Sequence, residues 1–288
     1  MIEGRTLSIA TGCKNRLDHL ARALASWVAF PEVDEIVIVD WDSFPSVSQA
    51  LSLRDERIKI VRVEDQPYWL RSSCHNLEFR LASGHFLLRI DSDDVLLPGF
   101  LRAHAPSAGR FWAGNWRSVP DDRRDQVHLS GILYVERDCL YKINGYNERL
   151  VNYGWEDDDI CNRLSNYGLL RRDIDINEAE HIPHSDKNRL ENLQAASTVI
   201  ETRRENAFTK KVSWQELVKS LASERQKLVD ISHASCDEKP WTMSDVMSRW
   251  WVSRFSPNGN GVMEARCEDY ATGIEGGRYK DGGWRLVG

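Results

Sequence analysis

The sequence lacks a CxxC pair, a long apolar run and an excess of basic residues. Its six cysteines are scattered, so we predict no disulfide framework and expect buried thiols in a reducing compartment. No stretch approaches the roughly 18 uncharged apolar residues of a membrane span. The N-terminus shows no basic-then-apolar signal pattern. We therefore expect a cytoplasmic protein with no transmembrane segment.

Net charge and chain length further narrow the possible classes of protein. The net charge of -6 argues against a surface that coats nucleic acid throughout, although a local basic patch would not show in this total. With 288 residues and 41% hydrophobic content, the chain can bury a sizeable core. The length fits one large domain or a domain with an appendage.

Strand-like and helix-like patterns alternate along the first 190 residues. "RTLSIATGCKNR" predicts a strand and a loop, "LDHLARALASWV" a helix, "DEIVIVDWDS" and "RIKIVRVED" two strands, and "LEFRLASGHFLLRIDSDD" a helix and a buried strand. The alternation continues with a strand near "GILYVERD", a helix over "EDDDICNRLSNYG" and a strand at "LLRRDIDI". Such alternation predicts a mainly parallel sheet with helices on both faces.

Polar residues follow three of the predicted strands, in "TGCKNR", "DWDS" and "DSDD". Ligands of open α/β sheets bind at the carboxyl ends of the strands. We therefore expect these three segments to meet in one crevice.

"DSDD" places Asp91, Asp93 and Asp94 where a buried strand ends. Acids in this position are often a solvated turn or a helix cap. Here "FLLRI" and "VLL" on either side predict burial, and clustered carboxylates raise one another's pKa unless a cation compensates. Oxygen ligands suit Mg²⁺ or Mn²⁺, which also bind diphosphates.

Three further segments have both an ordinary and a functional interpretation. The four acids at 156–159 can simply complement a helix dipole, but four exceed what capping needs, and one of them could be a general base. His181 and His184, on either side of a proline, are either ordinary core or surface residues or metal ligands. Lys14 and Arg16 are suited to a phosphate or a base edge. Together the segments predict a site for a metal, a diphosphate and a general base.

These motifs resemble those of known glycosyltransferases over most of residues 6–190. "GCKNRLDHLARAL" is similar to the nucleotide-binding start of β-1,4-galactosyltransferases, and "RIDSDDVLLPG" resembles the DxD segment of family-2 nucleotide-sugar glycosyltransferases. "INGYNERLVNYGWEDDDICNRL" followed by "HIPHSDKN" resembles the C-terminal half of the galactosyltransferase catalytic domain and of bacterial chondroitin-type polymerases. The last segment is the most specific of the three because of its length.

The resemblance implies a GT-A fold, sugar transfer from a UDP-sugar with inversion, and a role for each matched residue. The donor would be bound by Lys14, Arg16, Asp40 and Asp91. The metal, Mn²⁺ or Mg²⁺, would be held by Asp93, His181 and His184. Asp157 would be the general base, and the acceptor would be bound by Trp155, Glu156 and Asp158.

The sequence departs from the galactosyltransferase pattern at two positions. His181 stands where these enzymes commonly carry a methionine, and because imidazole is a harder ligand than a thioether, we expect tolerance to widen from Mn²⁺ toward Mg²⁺. Trp155 directly precedes Glu156, whereas the galactosyltransferases place glycines between the two. The resemblance therefore does not imply a hinged lid at this position.

We predict an α/β protein with a GT-A catalytic domain over residues 1–190 and a helical and irregular extension over 191–288. The nucleotide-binding part would cover about 1–100, and the acceptor and metal part about 101–190. The acceptor would be a carbohydrate or another hydroxyl-bearing molecule. A nucleic acid remains one option, because "TRRENAFTKK" to "SERQKL" is either a solvated helix or a polyanion contact. The alternatives are a metal-dependent phosphodiesterase or nucleotidyltransferase, and a nucleotide-sugar-binding protein without turnover.

Overall fold

The computed structural model describes residues 4–148, 150, 153–185, 191–193, 250–257, 262–269 and 283–287. The predicted alternation of strands and helices is confirmed in this part of the chain. The elements of its first half are β1 (Leu7–Cys13), α1 (Leu17–Trp27), β2 (Glu35–Trp41), α2 (Val47–Ala50), β3 (Ile58–Val63), α3 (Arg71–Leu81) and β4 (Phe86–Arg89). Every residue of β1, β2 and β4 is buried, which explains their nearly continuous apolar sequences.

The second half of the domain consists of shorter elements. They are β5 (Asp94–Leu96), α4 (Phe100–Ala103), β6 (Arg110–Ala113), a 3-10 helix (Asp121–Gly131), β7 (Leu133–Glu136), α5 (Arg137–Lys142), α6 (Glu156–Asn166), β8 (Leu170–Asp173) and β9 (Ala179–His181). Among the described residues, no helix is both long enough and apolar enough to cross a bilayer.

The main sheet is mixed and largely parallel at its centre. Its domain strands follow the order β3-β2-β1-β4-β7-β6-β8, and the first three pairs are parallel. Strand β7 is antiparallel to both β4 and β6. A separate two-stranded sheet pairs β5 with β9, so that Asp94 lies opposite His181. This architecture confirms the predicted α/β fold.

Helices cover both faces of the sheet, as the alternation predicts. Ile36 and Ile38 point into the core layer that contains Leu20 and Leu24 of α1. The intervening residues of β2 point into the opposite layer, which is closed by α3 and α6. Four free cysteines in the described residues are buried, as expected: Cys13, Cys74, Cys139 and Cys161.

The described part of the C-terminal extension differs from the sequence expectation. We predicted a helical and irregular segment, but β10 (Trp250–Pro257), β11 (Val262–Asp269) and β12 (Gly283–Val287) form antiparallel strands that continue the main sheet beyond β3. Runs such as "WWVSRF" combine aromatic and β-branched residues, which favour strands, and the Gly-rich stretches between them obscured this pattern. The helix predicted between 190 and 235 lies almost entirely outside the described residues.

A buried carboxyl group ties the loop before α6 to α3. Glu148 accepts hydrogen bonds from Ser73 Oγ at 3.1 Å and from Asn76 Nδ2 at 2.5 Å. Asn76 also bonds both backbone polar groups of Tyr146. Burial raises the pKa of Glu148 from 4.5 to about 8, against the effect of these hydrogen bonds. The loop is therefore held by a carboxyl group that carries its proton at neutral pH.

We expect Glu148→Gln to remove a pH-dependent contribution to stability. The folded-state pKa is raised, so this contribution is complete below pH 4.5 and is lost as the pH rises through about 8. Glutamine resembles the protonated acid, so the variant should gain stability over the wild type with rising pH, with an upper bound of about 5 kcal/mol. Urea unfolding at several pH values between 5 and 9 measures the difference. The exposed control Glu56→Gln should show none, and parallel pH profiles for all three proteins would contradict this account.

Candidate functional site

The ends of β1, β2 and β4 meet at one edge of the sheet, as predicted. The three strands are neighbours with β1 in the middle. The Asn15 backbone N–H donates to Ser43 Oγ at 3.1 Å, joining the loops after β1 and β2. The Ile90 N–H donates to the Ala10 carbonyl at 3.1 Å, so the "DSDD" turn begins beside the same loops. The fold thus creates the crevice.

Two of the predicted donor-binding residues are occupied in building the crevice wall. Lys14 Nζ donates to the backbone carbonyls of Trp41, Asp42 and Gln66 at 3.1, 3.3 and 2.7 Å. Burial lowers the pKa of Lys14, against the pull of nearby acids. The structure therefore gives Lys14 a role in joining β1 to the neighbouring loops, and its direct contact with the donor stays a prediction.

Asp40 is likewise enclosed by its own surroundings. Its carboxylate accepts hydrogen bonds from the backbone N–H groups of Ser43 and Val47 at 2.9 and 3.0 Å, and from Arg62 Nη1 at 2.8 Å. The residue is completely buried. Asp40 thus fixes the turn into α2, and its direct contact with the nucleotide-sugar donor stays a prediction.

The predicted metal ligands come together at the open end of β5 and β9. Asp93 Oδ2 lies 2.8 Å from His184 Nε2, and Asp93 Oδ1 lies 3.8 Å from His181 Nδ1. One potential ligand atom from each of these three residues lies within 4.8 Å of the others. The Ile182 N–H donates to the Asp93 carbonyl at 2.7 Å and holds the two segments side by side.

The electrostatics of this cluster suit a divalent cation. Burial opposes the charge on Asp93, but the hydrogen bond from His184 and the proximity of His181 hold the pKa of this carboxyl well below its usual value. Burial and the charges of Asp93 and Asp91 raise the pKa of Asp94 well above its usual range, and its buried Oδ2 has no hydrogen-bond partner among the described residues.

The donor set fits Mn²⁺ or Mg²⁺. It comprises a carboxylate oxygen, which suits both ions, and two imidazole nitrogens, which transition ions such as Mn²⁺ accept more readily than Mg²⁺ does. His181 Nδ1 lies 2.9 Å from Asp94 Oδ1, the hydrogen-bonded carboxylate partner that metal-binding histidines usually have. Arg16, which directly precedes α1, also lowers the pKa of Asp93 by its charge. Arg16 is therefore near enough to the cluster to act on an anion bound there.

The four acids that open α6 have four different surroundings. Glu156 is buried and bonds Arg71 Nη1 at 2.8 Å, while Asp158 accepts from Arg117 Nη1 at 2.9 Å. Asp159 is completely buried and bonds Arg163 within the helix. Of the four acids, Glu156 and Asp159 are therefore the two that ion pairs hold in the protein interior.

Asp157 differs from its neighbours. Its side chain is 25% exposed, and its Oδ1 lies 3.7 Å from Arg89 Nη1. Burial and the adjacent Glu156 raise the pKa of Asp157 well above its usual value, while Arg89 and Arg71 oppose this. A carboxylate with a raised pKa that faces a cavity has the properties of a general base.

A cavity of about 260 Å³ lies over this helix end. Its aromatic lining consists of Trp116, Tyr153 and Trp155. Its polar lining includes Arg71, His128, Ser130, Glu156, Asp157, Asp158 and Arg171. Aromatic faces beside hydrogen-bonding groups are typical of a site for a polar ring such as a sugar. The three predicted acceptor residues thus line one cavity with the predicted base.

Trp155 adopts an uncommon backbone conformation at the start of α6. Its φ is 75°, in the left-handed region, and the preceding Gly154 has a φ of 97°. Left-handed conformations of bulky residues are strained and cluster at functional sites. The adjacency of Trp155 and Glu156 therefore coincides with a sharp turn that places the Trp155 side chain in the cavity lining.

Several residues of the site were not found from the sequence. Trp116 donates to Asp158 Oδ2 at 3.4 Å and stacks with Arg117, whose guanidinium lies 4.3 Å from the ring centroid. The ring of His128 lies 5.0 Å from that of His181. Of these residues, Arg89 was the one that the sequence could have indicated, because it is a charged residue inside a buried apolar strand. No pattern marked Trp116 or His128, because each reaches the site from a distant part of the chain.

Comparisons with known proteins agree with this architecture. Residues 123–185 match the family model described as the N-terminal domain of galactosyltransferase. The succinoglycan biosynthesis protein ExoU of Rhizobium meliloti (strain 1021) is 31% identical over 96 residues, which cover 32% of this chain and 28% of ExoU. The predicted resemblance to galactosyltransferases is thus confirmed, most directly over residues 123–185.

Solved structures of glycosyltransferases are similar to this chain. GalNAc-T7 with UDP, GalNAc and Mn²⁺ has a TM-score of 0.54 and 15% identity, over 72% of this chain and 48% of that one. A Drosophila β-1,4-galactosyltransferase 7 mutant with manganese, UDP-Gal and xylobiose gives a TM-score of 0.47 and 19% identity, over 69% of this chain and 79% of that one. The first likeness shows the GT-A fold that the sequence predicted.

Proposed function

We propose that the protein is a metal-dependent glycosyltransferase that moves a sugar from a UDP-sugar to an acceptor hydroxyl with inversion. One observation carries the proposal. Arg89 bonds Asp91 of the "DSDD" turn and lies 3.7 Å from Asp157, so the metal-ligand cluster and the base at the aromatic cavity adjoin. The galactosyltransferase match over residues 123–185 and the UDP and GalNAc bound in the GalNAc-T7 structure support the donor class.

The reaction requires one displacement at the anomeric carbon. Asp157 takes the proton of the acceptor hydroxyl, the hydroxyl oxygen forms a bond to the anomeric carbon, and the bond to the departing UDP oxygen breaks. Asp93, His181 and His184 would hold Mn²⁺ or Mg²⁺, which neutralises negative charge on the diphosphate when bound. Arg16 adds positive charge beside the same cluster.

The acceptor occupies the cavity over α6 in this proposal. Trp116 and Trp155 offer apolar faces to a sugar ring, and Asp158 offers a carboxylate to its hydroxyl groups. Both acids are paired with an arginine, but the Glu156 side chain is only 2% exposed and that of Asp158 is 19% exposed, so Asp158 is the more accessible of the two. The cavity size fits one or two sugar rings better than a polymer backbone.

Donor turnover tests the proposal. The protein is incubated with UDP-, GDP- and ADP-sugars in Mn²⁺ or Mg²⁺, and release of free nucleoside diphosphate is measured. We expect slow release from one UDP-sugar, because water replaces the missing acceptor, and none from Asp93→Ala. If no donor is turned over and calorimetry detects no donor binding, the proposed function is refuted. Release of a nucleoside monophosphate would instead indicate a phosphodiesterase or nucleotidyltransferase.

A further inference from the structure

A buried arginine lies at the centre of the site without a role in the reaction described above. Arg89 is the last residue of β4, a central strand between β1 and β7, and its side chain is only 3% exposed. Burying a charge in a strand is costly unless partners surround it. The identity of those partners indicates what the charge is for.

The Arg89 guanidinium contacts acids from both halves of the site. Its Nη2 donates to Asp91 Oδ1, and its Nη1 donates to the Gly131 carbonyl and lies 3.7 Å from Asp157 Oδ1. Asp91 belongs to the donor side and Asp157 to the acceptor side. One planar group therefore spans the two halves, which are 66 residues apart in sequence.

Two buried side chains hold this guanidinium from behind. His75 Nε2 lies 2.5 Å from Arg89 Nη2, and His75 Nδ1 lies 2.9 Å from Glu78 Oε1. Burial and the charge of Arg89 lower the pKa of His75, so the ring is neutral, with one donor and one acceptor. Nδ1–H therefore donates to Glu78, and Nε2 accepts from Arg89.

The packing around His75 and Arg89 restricts the movement of the Arg89 guanidinium. The His75 ring lies 4.9 Å from that of Tyr146 and 6.5 Å from that of Trp69. A Cβ at Gly131 would lie 2.8 Å from Arg89 Nη1 and 2.4 Å from Asp91 Oδ2, so any side chain at this position would displace the pair. The guanidinium is fixed from three sides.

We propose that Arg89, held by His75 and Glu78, is a positioning residue that sets the place and charge of Asp157 relative to the donor-side Asp91. The inference rests on the proposed function. The charged groups that face Asp157 are Glu156 on its own helix, Asp91 and Arg89 at the end of β4, and Arg71 on α3. Each cation also has an acidic partner, Glu156 for Arg71 and Asp91 for Arg89. Of the two, Arg89 has the larger effect in favour of the charged form of Asp157.

The test compares Arg89→Met with Arg89→Lys by the pH dependence of UDP release from the UDP-sugar that the donor panel identifies. The methionine variant should lose about 100-fold in kcat at neutral pH. The acid limb of its pH–rate profile should move upward by about one pH unit, because the larger of the two cationic effects on the Asp157 carboxylate is lost. Lysine keeps the charge without the planar fork, so its kcat should fall while its acid limb stays near that of the wild type. The half-buried control Arg137→Met, which removes a bond to the Ala82 carbonyl, should not move the limb.

Each result separates this inference from the proposed function. Wild-type protein that neither turns over nor binds any donor would refute the function itself, and this inference with it. A working wild type with an unshifted acid limb in Arg89→Met would refute only the role of Arg89. If Arg89→Met does not fold, His75→Phe carries the test, since it keeps a ring between Trp69 and Tyr146 but has no nitrogen. We expect kcat of that variant to fall about tenfold, and an unchanged kcat would overturn the inference.

Discussion

Asp157→Asn is expected to lower the rate of sugar transfer by about 10²- to 10⁴-fold, the range that loss of a general base usually costs. Asparagine keeps the shape of the side chain and cannot take the acceptor proton. Donor binding should change little, because Asp157 lies at the acceptor cavity and the metal cluster is formed by other residues. Steady-state rates together with UDP titration by calorimetry measure the two effects separately.

The pH dependence gives the same prediction a second readout. Burial and Glu156 raise the pKa of Asp157, so in the wild type the rate should rise with pH through a value above the usual range of an aspartate. Asp157→Asn should lose this limb. Asp138→Asn, an exposed acid in the first turn of α5, is the matched control and should retain both rate and limb. Full activity in Asp157→Asn would identify a reaction that uses the metal without this base.

The position of the site could be predicted because local sequence encodes it. Buried strands end in polar segments at "TGCKNR", "DWDS" and "DSDD", and the rule that parallel strands present their carboxyl ends at one edge was enough to bring them together. The helix after "GW" was equally readable from the spacing of Ile160, Leu164 and Tyr167, of which the first two are buried and Tyr167 is exposed. Periodicity and topology thus located the crevice and the helix that carries the proposed base.

The different partners of the four acids at 156–159 could not be predicted from the sequence pattern. "EDDD" is a uniform run in sequence, yet Asp159 pairs with Arg163 in its own helix, Glu156 with Arg71 of α3, and Asp158 with Arg117 of a distant loop. Two of these three partners are distant in sequence, by 85 and 41 residues. Only the packed structure determines which partner each acid has and which acids line the cavity.

A similar limit applies to the donor side. Lys14 directly follows a strand, where a phosphate-binding lysine is expected, but its ammonium group contacts three backbone carbonyls. These carbonyls, two at the end of β2 and one at Gln66, are strong acceptors that the buried lysine helps to satisfy. Sequence position therefore indicates that a residue reaches the crevice, whereas its partners decide whether it contacts the ligand.

Asp93→Ala is expected to abolish Mn²⁺ binding, and a graded set of variants should show why. Asp93 is the acid that approaches both histidines, at 2.8 and 3.8 Å, so its loss removes the anionic ligand of the cluster. Asp94→Asn changes only the partner of His181 and should weaken binding by about 10- to 100-fold, as expected for a residue that orients a ligand. Calorimetric titration with Mn²⁺ alone measures both. Exposed His85 directly precedes β4, at the opposite end of that strand from the "DSDD" turn, and provides the control His85→Ala, which should bind as the wild type does.

The identity of the third ligand should set the choice of metal. If His181 contributes a hard nitrogen where the galactosyltransferases have a thioether, the wild type should bind Mg²⁺ as well as Mn²⁺, and His181→Met should lose Mg²⁺ first. Titrating each protein with each metal gives four affinities, and the predicted difference lies in their ratio. Equal losses for the two ions would mean that His181 acts through packing with Asp94. Unchanged Mn²⁺ affinity in Asp93→Ala would remove the metal site from this cluster altogether, because His181 and His184 alone leave the cation without an anionic ligand.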